Sequence, residues 1–155
     1  MAERLSHYDE QGRAQMVDVG SKPPIRRTAI AQGDFVAAAT TLDRILSGNL
    51  PKGEALAVAR VAGIAAAKRT DELIPLCHSL PLDHVTIDFE RVADDCLRVS
   101  ASASVVARTG VEMEALTAAS IACLTLYDMT KAIDKHLRIV GIKLIAKEKL
   151  GEEAT

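Results

Sequence analysis

The chain has 155 residues, 48% apolar and 26% charged, with a formal net charge of −2. Such a balance gives no overall field to draw in nucleic acid or an anionic membrane, so any anion site must be local. The three cysteines, Cys77, Cys96 and Cys123, form no C-x-x-C pair; this argues against a disulfide framework or a zinc site and points to a reducing, cytoplasmic compartment.

The length fits one domain over residues 1–155. Its first 24 residues read as a flexible arm, and residues 148–155 as a charged tail. Met1 to Glu10 has scattered charges and no apolar run, unlike a secretory signal. Met16-Val17-Asp18-Val19 is an apolar knot in the arm, and Pro23-Pro24 bars helix there. A strand is predicted over Arg26 to Ala31. Apolar spacing from Phe35 to Leu46 predicts a short helix stopped by Ser47-Gly48-Asn49. Leu50-Pro51-Lys52-Gly53 is a turn, and Glu54 to Arg69 a second helix. Gly63 inside that helix costs about 1 kcal/mol relative to alanine, which close helix packing would explain.

Asp71 to Pro81 holds two prolines and reads as a loop. Asp83 to Val92 and Cys96 to Val106 alternate in polarity around Asp94-Asp95, as a hairpin does. Gly110 to Lys135 is predicted as a long helix and Leu137 to Ala146 as a last strand. The uncharged run inside the long helix, Ala115 to Tyr127, is well short of the ~20 residues a membrane span needs. The order strand, helices, strand, strand, helix, strand predicts an α+β, ferredoxin-like split βαβ sandwich. Its sheet is mostly antiparallel, with the helices on one face. Ser100, Ser102 and Ser104 make one hairpin face polar, leaving open whether solvent or a neighbouring subunit covers it. With aromatics at only 3%, the core is built from small side chains, a hint of oligomerisation.

Three constellations carry chemistry. Glu112 and Glu114 suit a helix N-terminus, but two residues is about 200° of rotation, so one is free to face a site. Asp128 and Lys131 share a helix face; the spacing fits a surface ion pair and equally a general acid–base pair. Leu73 to Pro81 is an apolar loop with Cys77 and His78 held between prolines. It fits a structural loop or a substrate contact, and two adjacent ligands do not make a metal site. Beside turns and element ends stand Arg27, Lys52, Lys68, Arg69, Arg108 and Lys147, each an ordinary surface charge alone and a phosphate clamp together. No P-loop and no G-x-G-x-x-G is present.

The run Thr109-Gly110-Val111-Glu112-Met113-Glu114-Ala115-Leu116-Thr117-Ala118-Ala119-Ser120, followed by Tyr127-Asp128-Met129-Thr130-Lys131, closely resembles the cyclic pyranopterin monophosphate synthase family of molybdenum cofactor biosynthesis. Ala59 to Ile64, Ala66 to Thr70 and Leu73 to His78 resemble it too, as does Met16 to Val19. The resemblance covers about residues 7 to 147. It implies an enzyme that rearranges a cyclised dihydro-GTP into a cyclic pterin monophosphate and releases pyrophosphate, with no redox cofactor and no metal-ligating residues assigned, divalent-metal dependence being left open. The substrate would come from a radical S-adenosylmethionine cyclase. Carried over by motif, Asp128 and Lys131 are the catalytic pair, with the order of proton transfers open. Leu76, Cys77, His78, Glu112, Met113 and Glu114 contact substrate. Lys52, Lys68, Lys147 and Arg27 are the phosphate-side cations, with Arg26 the rival to Arg27. The family resemblance also implies a hexamer, a trimer of dimers, with sites between subunits. Ser79 stands where the family usually has proline, and its glycine-rich tail is absent here.

Overall fold

The computed structural model describes residues 7–150. The outer parts of the expected arm and tail, residues 1–6 and 151–155, lie outside the described residues. Eight elements follow in chain order: β1 (Ile25–Val36), α1 (Ala39–Leu46), α2 (Ala55–Ala67), α3 (Thr70–Leu73), β2 (His84–Ala93), β3 (Cys96–Ala107), α4 (Glu112–Thr130) and β4 (Arg138–Leu150). The strands form one sheet in the order β2-β3-β1-β4, and every neighbouring pair is antiparallel. Each helical connection thus returns its chain one strand beyond its neighbour, the order a split βαβ unit produces.

Alternation decides the faces. Leu97, Val99, Ala101, Ala103 and Val105 of β3 are buried with Ala29, Ala31 and Phe35 of β1 and Ile87 of β2. They meet Ala115, Ala118, Ala119, Ala122 and Leu126 of α4 in one core. Small residues on both sides let the helix lie close to the sheet. Gly63 serves the same end between helices: a Cβ there would lie 2.9 Å from the Ala118 carbonyl oxygen and 3.0 Å from Ile87 Cδ1. The close-packing explanation for this glycine holds. The opposite sheet face is polar, with Arg98 Nε 2.9 Å from Asp34 Oδ1 and Gln32 Nε2 donating to Ser100 Oγ at 3.1 Å.

Most element boundaries shift by a residue or two from the sequence expectation, and the larger differences have physical reasons. Phe35 belongs to β1, not to the first helix. It pairs with Leu97 and Ile139 and is fully buried, so the sheet's long-range demand overrides local helical spacing. The helix begins at Ala39, where Asp134 caps it: Asp134 Oδ2 accepts from Ala38 N at 2.9 Å and from Thr41 Oγ1 at 3.0 Å. The loop from Asp71 starts as the short helix α3. Helix α4 ends at Thr130 rather than Lys135, with Lys131 as its C-cap. Finally, β4 runs on past Ala146 to Leu150, so Lys147, Glu148 and Lys149 pair with Ala29, Thr28 and Arg27. Charges are at home on such an edge strand. At the other end, residues 7–15 close into a turn around Asp9, whose carboxylate accepts from Gln11 N and Arg13 N, each at 2.9 Å.

Candidate active site

Helix α4 carries a polar cluster at each end. At its C-terminal end Lys131 Nζ lies 2.7 Å from Asp128 Oδ1. Lys52 joins them from the Leu50–Gly53 turn, its Nζ 3.1 Å from Asp128 Oδ2 and 2.9 Å from the Asp128 carbonyl oxygen. That turn closes with Gly53 N donating to Leu50 O at 3.0 Å, and Gly53 sits at φ 92°, a conformation glycine adopts without steric cost. Lys52, grouped by resemblance with the phosphate-side cations, is thus brought to the Asp128–Lys131 pair. Lys131 first and Lys52 second hold the Asp128 carboxyl below the usual carboxylate range. Asp128 in turn raises the Lys131 ammonium. The resting pair is carboxylate and ammonium, and both side chains are 57% exposed.

At the N-terminal end the chain brings Leu76, Cys77 and His78 to Glu112, Met113 and Glu114 around a cleft of about 190 Å³. The two glutamates differ as helix rotation requires. Glu114 is buried. Burial raises its carboxyl to about 7 despite a hydrogen bond to its own backbone, and Glu112 and Asp71 add to the rise. Glu112 is more open, and its carboxylate folds back over Gly110, filling the space a Cβ would take. Its Oε1 accepts from Lys147 Nζ at 3.3 Å. Burial, then Glu114 and Asp71, raise the Cys77 thiol, the opposite of what a nucleophilic thiolate needs. Ser79 hydrogen-bonds Asp71 of α3 through its hydroxyl, which ties the loop to that helix.

A second cleft of about 420 Å³ adjoins the first, and Thr109 and Gly110 line both. Its cations are Lys22, Arg27, Arg108 and Lys149. Arg27 Nε donates to the Ala107 carbonyl at 3.1 Å and Nη2 to the Arg108 carbonyl at 3.3 Å, which fixes the guanidinium at the rim. Strand alternation puts Arg27 on the face of Ala29 and Ala31, whereas Arg26 takes the opposite face. Of the two, Arg27 is the one that lines the cleft. Lys147 and Glu112 line a small recess beside it. Lys68 joins neither cluster; it caps α2 and borders a separate hollow with Asp83 and His84.

Three cleft cations, Lys22, Arg108 and Lys149, lie outside the phosphate-side residues that the resemblance implies. Arg108 was visible only as one turn cation among several, and Lys22 sat in the arm. Lys149 falls in the segment expected as tail; its spacing of two from Lys147 is the sequence signal for a continuing strand. The long separation in sequence of Lys22, Arg27, Arg108 and Lys149 gave no local motif.

A profile of the MoaC family matches residues 16–150. Cyclic pyranopterin monophosphate synthase of Chloroflexus aggregans is 58% identical over 146 residues, 94% of this chain and 88% of that protein. The protein of the same name from Novosphingobium aromaticivorans is 56% identical over 143 residues, 92% of this chain and 90% of its own. The one from Thermomicrobium roseum is 54% identical over 148 residues, 95% and 89%. Among the described residues no helix is long and apolar enough to cross a membrane.

Proposed function

The chain belongs to the MoaC family and carries its activity, cyclic pyranopterin monophosphate synthase, a lyase step of molybdenum cofactor biosynthesis; we propose that its substrate is the cyclised dihydro-GTP (8S)-3′,8-cyclo-7,8-dihydroguanosine 5′-triphosphate. The observation that carries this reading is the pair of adjoining clefts around Gly110, one walled by Glu114, Cys77 and His78, the other by cations. The first suits the purine-derived ring. The second suits the triphosphate, which meets Lys22, Arg27, Arg108 and Lys149, with Lys147 beside them and the N-terminus of α4 adding backbone N–H groups.

A sugar hydroxyl attacks the α-phosphorus, a new P–O bond closes the cyclic phosphate, and the bond to the β-phosphate oxygen breaks to release pyrophosphate. The cations meet the charge that grows on the leaving group. Ring opening and reclosure to the pterin need proton transfers. At neutral pH Asp128 is the acceptor and Lys131 the donor, so the first proton taken goes to Asp128 and the first given comes from Lys131. In the isolated chain their mutual pairing drives both away from neutrality. Desolvation under substrate and a partner subunit works against that shift, because burial disfavours the charged forms.

A partner is part of the reading. About 16 residues of helix separate Glu112 from Asp128, or ~24 Å at 1.5 Å per residue, too far for one small substrate to touch both. Each site is then built from the N-terminal end of one subunit's α4 and the C-terminal end of another's, in a hexamer arranged as a trimer of dimers. Val61 is 68% exposed on α2 and Leu124 53% exposed on α4, the apolar surface such an assembly would cover. The substrate would be supplied by a radical S-adenosylmethionine cyclase in the cytoplasm. The test incubates the purified chain with that cyclase's product and follows pyrophosphate together with the pterin. Binding with no release of either would leave only a nucleotide-binding oligomer and end the proposed reaction.

A further inference from the structure

His78 lies in the loop that the family resemblance assigns to substrate, yet its ring is already engaged. Nε2 is 2.8 Å from the carbonyl oxygen of Val17, a half-buried contact across 61 positions of sequence. The carbonyl only accepts, so the nitrogen donates, as it does in the Nε2–H tautomer and in the imidazolium alike. Beyond Val17 the arm turns twice. Gly20 N donates to Asp18 Oδ1 at 2.8 Å, and Lys22 N donates to Val19 O at 3.0 Å. These turns deliver Lys22 and Pro23 to the wall of the cation-lined cleft. Among the described residues, the His78–Val17 bond is the one hydrogen bond joining residues 16–24 to the rest of the chain.

We propose that His78 is a positioning residue that latches the arm at Val17, so that Lys22 stands ready in the phosphate cleft. The inference rests on reading that cleft as the phosphate site. The physical reason is ordering entropy. An arm held only by its own local turns would have to be immobilised when the anion binds, which weakens binding. With the latch made beforehand, that cost falls on folding instead. His78 thus couples the two clefts: its loop borders the ring cleft, while its bond sets a wall of the other.

The test uses the full chain and inorganic pyrophosphate, with affinity measured by calorimetry and hydrogen exchange followed over residues 16–22. His78→Ala is expected to speed exchange there and to weaken pyrophosphate binding about three- to tenfold, the scale of ordering one or two long side chains. His78→Gln, whose amide N–H can donate to the same carbonyl, is expected to restore much of both. In a Lys22→Ala background, His78→Ala is expected to change the affinity no further. Unchanged exchange in His78→Ala overturns the latch. So does an undiminished affinity loss in the Lys22→Ala background, which would put His78 on the anion itself. A wild-type chain that does not bind pyrophosphate removes the phosphate reading, and this role with it, whereas the exchange result judges the latch separately.

Discussion

Glu114→Gln is expected to leave stability nearly unchanged in acid and to raise it relative to wild type as pH climbs through neutrality. The cause is the buried carboxyl of Glu114, raised from an ordinary 4.5 to about 7 chiefly by burial. Below 4.5 the group is protonated folded and unfolded alike, so no proton is exchanged on unfolding. Between 4.5 and about 7 the folded chain holds a proton that the unfolded chain has released, and stability falls with rising pH. Above about 7 the loss is complete. At 1.36 kcal/mol per pH unit, this window sets a ceiling of about 3 kcal/mol. Glu114 lines an open cleft, and water there screens the charge, so we expect about 1–2 kcal/mol. For a chain of this size that is roughly 3–6 °C in Tm. The assay is thermal unfolding of both proteins across pH 5 to 8.5; subtracting the curves removes titrations they share. A Tm difference constant across that range would refute the assignment.

Asp128→Asn is expected to lower turnover by about 10²–10⁴, the range for loss of a general acid–base group, with Tm little changed because the side chain is exposed; a kcat assay beside a melting curve checks both. Asp134→Ala leaves Ala38 N and Thr41 Oγ1 without their acceptor and should cost roughly 2–3 kcal/mol in urea unfolding near neutral pH. Its carboxyl is lowered by backbone hydrogen bonds from Ala38 and then His136, so its stabilisation is present above the unfolded pKa and fades as pH falls; the wild-type advantage over the variant should shrink in acid. Gly63→Val would press its side chain into the Ala118 carbonyl and Ile87, with an expected loss of about 1–3 kcal/mol in the same measurement. Refolding Asp128→Asn together with Lys147→Ala should regain activity that neither has alone, since mixed oligomers would contain some sites free of both changes; a mixture as inactive as its parts would count against shared sites.

The sequence by itself determined the elements whose signal is local. The alternation in β2 and β3, the uncharged stretch of α4 and the turn at Leu50–Gly53 each follow from neighbours a few residues apart. The contiguous runs around Glu112 to Glu114 and Asp128 to Lys131 identified the family, because their order and spacing lie within one helix. Tertiary structure decided what depends on register between distant strands. Phe35 has helical spacing, but partners in β3 and β4 claim it for the sheet. Lys149 belongs to a strand, and so to a cleft, only because β4 keeps pairing with β1 as far as Leu150. Lys52 meets Asp128, and His78 meets Val17, across 76 and 61 residues. A periodic pattern reports which side of an element is buried; it carries no information about which remote segment covers that side. The long-range packing that chooses those partners therefore chose the cations of the cleft as well.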